Sequence, residues 1–364
     1  MLMHRLRPHL NVWLKTLPEL LLAGAVSVLI QGQATAADVT AGAYGTRAEA
    51  LELADEIAGK YSLDNEWVRR MIAQATHLRQ VPRLMLPPAT GATARNWHNY
   101  RSRFIDPVRI RAGTRFWQRN RATLARAEAE FGVPPEIIVG IIGVETIYGR
   151  VMGNFRVLDT LTTLSLDFPS THPRADARQA FFRDELGQFL SLHHSAGTSP
   201  LQPRGSYAGA MGMPQFMPSS WRHYAIDFDR DGQIDLWRNE ADIIGSVANY
   251  FREHGWRPGM PTHYPVRLSA QADMSTLLAP DIVPSFSAQR MAELGAELNL
   301  AGQQHDGQLA LIELKNGDPN AGGSRPTFVA GTDNFYVVTR YNQSSYYAMA
   351  VIELGLEVAA SLEK

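Results

Sequence analysis

The chain has 364 residues, 45% of them hydrophobic, and a formal net charge of −1. This composition is typical of a globular protein with ample core, and a charge so close to zero gives little information about partners. The sequence contains no cysteine, so we expect neither a disulfide framework nor a lipid anchor attached through a cysteine.

The N-terminus has the pattern of a secretory signal peptide, which we place at residues 1–36. Arg5, Arg7 and Lys15 precede an apolar run from Leu20 to Ile30, and Ala34-Thr35-Ala36 offers a small-x-small cleavage site. The run is shorter than the roughly 20 residues that a membrane span needs. A retained N-terminal anchor is the alternative, and a cleaved, periplasmic protein is the expectation.

The next part of the chain, residues 37–132, is predicted to be a helical lobe. Apolar residues recur at helical spacing in Thr46–Ala58 and again in Asp64–Leu78. A basic segment with interleaved aromatic residues follows, and its arginines are Arg95, Arg101, Arg103, Arg109, Arg111, Arg115, Arg119, Arg121 and Arg126. Export argues against nucleic acid as its ligand, which leaves a solvated helix face or contact with an anionic cell-wall polymer.

A strongly apolar helix opens the predicted catalytic core, residues 133–260. Pro135 stands where proline is tolerated at a helix start, and Gly140–Gly149 reads GIIGVETIYG, with Glu145 near its end. A carboxylate among Ile, Val and Gly has little water around its charged form, so its pKa rises and it can act as a general acid near neutral pH. From position alone, a structural glutamate with a polar partner is an equal alternative.

A glycine-rich motif lies downstream of this helix, with Gly205, Gly209 and Gly212 close together. Each glycine costs about 1 kcal/mol against alanine inside a helix, so close packing or ligand approach must reward the missing side chains. We expect the backbone to approach a sugar here, with Ser206 and Gln215 available to hold it.

An aspartate-rich loop beginning at Asp227 resembles the calcium loop of an EF-hand. Carboxylates occupy positions one, three, five and nine, and Gly232 occupies position six, where the sharp turn lies. Position twelve is Arg238 instead of the usual glutamate, so a later acid must complete the coordination shell of the ion. Asp242 is the expected acid, and Glu240 is the alternative. The predicted ligands of a structural Ca²⁺ are Asp227, Asp229, Asp231, Gln233 through its carbonyl, Asp235 and Asp242. The other interpretation is an aspartate-rich turn capped by its own side chains.

The last third of the chain changes character after Trp256–Gly259. Short β-rich pieces, notably Leu309–Leu314 and Phe335–Thr339, predict a small β lobe at residues 261–335. A final helix, Tyr346–Leu362, lies in a segment, 336–364, that is expected to return to the core or the helical lobe. The predicted fold class is mainly α, of the α+β type.

Several of these motifs, in this order, resemble the lytic murein transglycosylase B family. They are the Glu145 helix, Gly205–Trp221, the acidic loop running into Ile244–Phe251, and Arg340–Ser344. The similarity extends from about Ala48 to the end, and the lack of cysteine fits the soluble, non-lipoprotein branch. The resemblance implies a lysozyme-like core with an EF-hand-like calcium site, flanked by a helical lobe and a small inserted β lobe.

The resemblance also implies an activity and a set of site residues. Glu145 would be the catalytic acid and base, and the glycan-binding residues would be Ser206, Gln215, Tyr250, Tyr341 and Asn342. The expected reaction cleaves the β-1,4 bond between N-acetylmuramic acid and N-acetylglucosamine in peptidoglycan strands and leaves a 1,6-anhydromuramoyl end. A hydrolytic muramidase and a non-catalytic peptidoglycan-binding scaffold are the alternatives. No organic cofactor, no nucleic acid and no particular protein partner is expected.

Overall fold

The structure is a computed structural model that describes residues 39–40, 44–87, 95–318 and 322–363. The predicted signal peptide, residues 1–36, lies outside these residues. Up to the acidic loop the helices span Ala48–Tyr61, Asn65–Ala73, Gln80–Leu84, Trp97–Arg101, Pro107–Arg119, Arg121–Phe131, Pro135–Thr146, Val157–Leu166, Ala175–Ser195 and Pro218–Tyr224. Beyond it they span Glu240–Glu253, Met274–Leu278, Ala288–Glu293, Leu300–Gln303, Asp333–Thr339 and Ser345–Ala360.

One antiparallel sheet of four strands lies between the last long helices. Its strand order is β6-β5-β8-β7, and the strands are β5 (His263–Leu268), β6 (Ala296–Leu298), β7 (Ala310–Asn316) and β8 (Ser324–Gly331). Strands β7 and β8 pair from Ala310 opposite Gly331, with a register shift between Leu314 and Asn316. Two short ribbons pair β1 (Val39–Thr40) with β2 (His77–Leu78), and β3 (Phe155–Arg156) with β4 (Arg204–Gly205).

The sheet has a hydrophobic cluster of its own, separate from the large cluster of the helices. The sheet cluster includes Tyr264, Met291 and Leu311, all within the predicted β lobe. The helical cluster runs from Tyr44 to Val358 and joins the first helices to the last one. The exact division into domains stays a prediction.

The Pro135–Thr146 helix is at the centre of the helical cluster. Every residue from Ile137 to Thr146 is buried, as expected for a helix that is apolar on all sides. It packs against the Ser345–Ala360 helix at backbone distance: a Cβ added to Gly140 would lie 2.2 Å from the Val351 carbonyl oxygen. The glycines of this helix therefore permit close packing of two helices.

Two predictions of local structure are wrong. The helical pattern of Asp64–Leu78 ends at Ala73, and His77–Leu78 forms the short strand β2 instead. The β-rich piece Phe335–Thr339 lies in a helix, which begins after Thr332, whose side chain accepts a hydrogen bond from the Asn334 amide. A short apolar run buried on several sides does not distinguish strand from helix by periodicity.

The basic segment is largely engaged within the protein. Arg101 pairs with Glu353 and Glu357, and Arg119 pairs with Glu240. Further along, the Arg126 guanidinium lies 3.6 Å from the centre of the Phe228 ring. These contacts tie the arginines to later elements, which favours a role in packing for that part of the segment.

Candidate active site

Glu145 lies in the last turn of its helix and is 9% exposed. The helix ends immediately afterwards, because Ile147 and Tyr148 both have left-handed backbone conformations, with φ of 52° and 56°. Burial raises the pKa of Glu145 to about 7, and a hydrogen bond from the Tyr347 hydroxyl opposes the rise. A substantial fraction of the carboxyl is therefore protonated at neutral pH, as a general acid requires.

Buried tyrosines surround this carboxyl. The Tyr347 hydroxyl donates to Glu145 Oε1, and the rings of Tyr341 and Tyr347 stack with centroids 6.4 Å apart. Burial raises the pKa of both tyrosines well above the usual value, and the charge of Glu145 raises it further. Both hydroxyls stay protonated, so Tyr347 remains a hydrogen-bond donor to the carboxylate. Sequence reasoning missed Tyr347, because it lies two hundred positions away and outside the motifs.

Glu145 opens onto a cavity of about 240 Å³. Its walls come from many separate elements, among them the Ala175–Ser195 helix, the glycine-rich motif and the turn before the last helix. The cavity is lined by Met85, Glu145, Phe181, Phe182, Glu185, Ser206, Ala208, Ala210, Gln215, Phe216, Met217, Ser219, Ser220, Tyr250, Arg340, Tyr341, Asn342 and Gln343. All five predicted glycan-binding residues are in this set, so folding brings them together around Glu145. Their roles in binding stay predictions.

Close packing explains two glycines of the glycine-rich motif. A Cβ on Gly205 would lie 2.1 Å from the Ala210 carbonyl oxygen, and one on Gly212 would lie 2.5 Å from the Leu236 carbonyl oxygen. Of the two explanations that the sequence left open, close packing accounts for these glycines. The approach of the backbone to a sugar stays a prediction.

Ser206 and Gln215 each hold part of this motif in place. The Ser206 Oγ accepts hydrogen bonds from the amides of Ala208 and Ala210, at 3.2 and 3.0 Å. Gln215 has a φ of 52°, and its Nε2 donates to the carbonyls of Gly212 and Met152 at 2.8 and 3.3 Å. Both side chains thus shape the turn that they present to the cavity.

The other three predicted glycan-binding residues, Tyr250, Tyr341 and Asn342, lie where separate elements of the cavity wall meet. The Tyr250 hydroxyl donates to the Arg340 carbonyl at 2.7 Å, and the Tyr341 hydroxyl donates to the Pro214 carbonyl at 2.5 Å. Asn342 is 5% exposed and follows Tyr341 directly. These bonds link the last helices to the Glu240–Glu253 helix and to the glycine-rich motif.

A second buried carboxyl, Glu185, lines the same cavity and was not predicted. Its oxygens accept hydrogen bonds from the amide and the hydroxyl of Ser219, at 2.9 and 2.6 Å. Burial raises the pKa of Glu185 to about 7, and the two bonds from Ser219 oppose the rise. Glu185 thereby fixes the start of the Pro218–Tyr224 helix. Its sequence context, a long helix with charged residues directly before Glu185, gave no indication of a site.

The acidic loop brings three carboxylates together. One oxygen of each of Asp227, Asp229 and Asp242 lies within 4.8 Å of the others. Burial raises the pKa of Asp242; amide hydrogen bonds oppose this, and the charges of Asp229 and Asp227 add to it. Three converging carboxylates, which repel one another and offer oxygen ligands, fit a hard divalent cation such as Ca²⁺.

The other two predicted carboxylate ligands, Asp231 and Asp235, lie outside that cluster. Asp235 Oδ1 accepts hydrogen bonds from the amides of Trp237 and Arg238, and Asp231 accepts one from the Gln233 amide. These are the turn-capping contacts of the alternative interpretation. The full set of six ligands stays a prediction.

The chain matches known protein families and structures over most of its length. Residues 46–356 match the family described as the transglycosylase SLT domain. The membrane-bound lytic murein transglycosylase B of Escherichia coli is 39% identical over 326 residues, which cover 87% of this chain and 84% of that protein. Across the residues described, no helix of this chain is long and apolar enough to cross a membrane.

Solved structures of lytic transglycosylases also resemble this chain over most of its length. The soluble lytic transglycosylase SltB1 of Pseudomonas aeruginosa superimposes with a TM-score of 0.76 at 39% identity, over 86% of this chain and 99% of that one. The E. coli lytic transglycosylase Slt35 in complex with calcium gives 0.74 at 37% identity, over 90% and 97%. SltB3 of P. aeruginosa in complex with NAG-anhNAM-pentapeptide gives 0.67 at 26% identity, over 86% and 79%.

Proposed function

The chain belongs to the lytic murein transglycosylase B family and is a peptidoglycan lytic transglycosylase with a lysozyme-like fold, and we propose that Glu145 is its catalytic acid and base. The observation that carries the proposal is the buried Glu145 carboxyl, with its pKa raised to about 7, at the wall of the cavity. The substrate is a glycan strand, and the bond cleaved is the β-1,4 bond from N-acetylmuramic acid to N-acetylglucosamine.

In the first step Glu145 acts as the acid. The bond between C1 of the muramoyl residue and the glycosidic oxygen breaks, its electron pair stays on that oxygen, and the oxygen takes the Glu145 proton. The substrate's own N-acetyl group stabilises the positive charge that develops at C1. The poorly hydrated environment of Glu145 favours release of the proton only as the bond breaks.

In the second step the same carboxylate acts as the base. The C6 hydroxyl of the muramoyl residue attacks C1, and its proton passes to Glu145, so the acid is regenerated and no water is consumed. The hydrogen bond from Tyr347 stabilises the carboxylate between the two steps. The neutral tyrosines around Glu145 keep the site poor in water.

The best alternative reaction is hydrolysis, and the presence of a second carboxyl, Glu185, in the cavity favours it. Inverting glycosidases use a second carboxylate to activate water, and Glu185 lines the same cavity. Both Glu185 oxygens are already occupied by Ser219, so it is poorly placed to take a proton from water. This occupation and the family both favour transglycosylation.

We further propose that Asp227, Asp229 and Asp242 bind a structural Ca²⁺. The ion would neutralise three converging carboxylates and so stabilise the loop that leads into the Glu240–Glu253 helix, whose Tyr250 lines the cavity. A relative crystallised with calcium supports this assignment. The protein would work in the periplasm after export, as the N-terminal pattern predicts.

Digestion of purified peptidoglycan in water enriched in ¹⁸O tests the proposed reaction. We expect products that end in 1,6-anhydromuramic acid, are lighter by one water than reducing-end products, and carry no ¹⁸O. Reducing ends that carry ¹⁸O would identify a muramidase. Absence of any products would point to the scaffold.

A further inference from the structure

The charged groups of the cavity are unevenly distributed. Among the residues that line it, only Glu145, Glu185 and Arg340 carry ionisable acidic or basic groups other than tyrosine hydroxyls. Arg340 is therefore the single cationic residue among the described residues of the cavity wall. It immediately precedes Tyr341 and Asn342, which are predicted to bind glycan.

The Arg340 backbone is fixed firmly in the wall. It follows the Asp333–Thr339 helix directly, and its carbonyl accepts the 2.7 Å hydrogen bond from the Tyr250 hydroxyl. Tyr250 is itself buried, 7% exposed, and packs on Tyr341 with ring centroids 4.8 Å apart. The position from which the arginine side chain extends is thus set by residues of the cavity.

The guanidinium is held by a tyrosine. Arg340 Nη1 donates to the Tyr336 hydroxyl at 3.3 Å, and the guanidinium carbon lies 5.5 Å from the centre of the Tyr336 ring. Within the described part of the chain, no carboxylate lies within 4 Å of its nitrogens. Arg257, near the other end of the same helix, differs, because it pairs with Asp333 at 3.0 Å.

The positive charge of Arg340 acts on Tyr250 and on a residue that packs against it. Burial raises the pKa of Tyr250, the Tyr224 hydroxyl raises it further, and the Arg340 charge lowers it. Arg340 also lowers the pKa of His254, which burial lowers most; the His254 ring stacks on Tyr250 with centroids 4.0 Å apart. Arg340 lines the cavity together with Tyr250, and the bond to Tyr336 uses one of the five N–H donors of the guanidinium.

We propose that Arg340 binds a carboxylate of the glycan strand and makes the enzyme selective for strands that carry one. This inference rests on the proposed function. The muramoyl residue carries a lactyl carboxyl, which is free in peptide-free strands and forms an amide where a stem peptide is attached; the peptide then supplies carboxylates of its own. A guanidinium binds such a group through two parallel hydrogen bonds, which a neutral chitin-like strand does not offer.

Three substrates distinguish the sources of the carboxylate. The first is peptide-free strands with free lactyl carboxylates, the second is intact strands with stem peptides, and the third is peptide-free strands whose lactyl groups are converted to methylamides. We expect Arg340→Gln to raise KM roughly tenfold on the first or the second substrate, because glutamine keeps one N–H donor and loses one of the two hydrogen bonds to the charged group. On the third substrate wild type and Arg340→Gln should have equal KM values. The substrate whose KM rises identifies the source.

Two further variants complete the experiment, and a melting curve of each variant shows whether it is folded. Arg340→Lys keeps the charge and should recover part of the lost affinity on carboxylate-bearing strands only. Arg257→Gln removes an arginine that pairs at the start of the same helix and should leave KM unchanged on all three substrates. Equal losses for Arg340→Gln on all three substrates, or no loss on any, would overturn the proposal. Failure of wild type to cleave any strand would instead contradict the proposed function.

Discussion

At the residue scale, burial of the Glu145 carboxyl has two effects. It lowers the stability of the folded protein, and it gives the carboxyl the raised pKa that a general acid needs. Glu145 is nearly buried, and the same desolvation that raises its pKa to about 7 penalises its charged form in the folded state. In the unfolded chain the pKa of a glutamate is about 4.3. The folded protein therefore binds one more proton than the unfolded chain between these two values.

This difference makes a prediction about stability and pH. Because the folded-state pKa is raised, the free energy of unfolding falls as pH rises from about 4.3 to about 7, and the loss is complete above that. Glu145→Gln removes the titration while keeping an acceptor for Tyr347. We expect the variant to melt several degrees above wild type at about pH 8 and at the same temperature at about pH 4. A difference of the same size at both pH values would contradict the assigned pKa.

Tyr347→Phe tests the hydrogen bond to the carboxyl. Because this bond opposes the rise in the Glu145 pKa, its removal should raise that pKa further. We expect the alkaline limb of the kcat/KM profile to move to higher pH and kcat to fall, since the carboxylate formed between the steps loses its donor. An unshifted alkaline limb would show that Tyr347 does not act on the ionisation of Glu145.

At the element scale, two helices in backbone contact position the Glu145–Tyr347 pair. Glu145 comes from Pro135–Thr146 and Tyr347 from Ser345–Ala360, and these helices share close glycine contacts in both directions. Gly140 faces the Val351 carbonyl, and a Cβ on Gly355 would lie 2.0 Å from the Glu136 carbonyl oxygen. The distance between the helices sets the hydrogen bond at the site.

Gly140→Ala should separate these helices. A methyl group placed 2.2 Å from a backbone oxygen forces a shift, and such overpacking costs about 1–3 kcal/mol. We expect a lower melting temperature and reduced kcat. The control is Gly59→Ala, because Gly59 lies exposed in a helix with no atom within 4 Å of an added Cβ; it should gain up to about 1 kcal/mol. Wild-type stability in Gly140→Ala would refute the close contact.

The acidic loop allows a second test at this scale. If Asp227, Asp229 and Asp242 hold Ca²⁺, the ion binds only the folded protein and raises its melting temperature. Asp227→Ala should abolish that rise, whereas Asp273→Asn, an acid of the β lobe that caps another helix, should leave it intact. Identical melting of wild type in calcium and in chelator would contradict the metal site.

At the scale of the whole molecule, the sequence predicted the motifs better than their surroundings. The apolar run around Glu145 predicted a buried helix because burial on all sides leaves a continuous hydrophobic pattern. Glu185 and Tyr347 could not be found in this way, since each is one polar residue in an ordinary helix and reaches the cavity only through long-range packing. The Phe335–Thr339 helix was misread because a short apolar run fits both helix and strand.

The reason for the glycine-rich motif also became visible only at this scale. The sequence allowed packing or ligand approach, and the partner atoms come from Ala210 and Leu236. The Leu236 carbonyl belongs to the acidic loop itself, so the glycine-rich motif packs directly against the predicted calcium loop. No local pattern contains that information.

The most direct test of the account is the rate at which Glu145→Gln releases anhydromuropeptides from purified peptidoglycan at neutral pH. The control is Glu136→Gln, the same chemical change in the first turn of the same helix. We predict that Glu145→Gln loses at least about 100-fold in kcat, as expected for a missing acid-base group, while remaining folded, and that Glu136→Gln keeps the wild-type rate. A folded Glu145→Gln that releases the products at the wild-type rate would contradict the account.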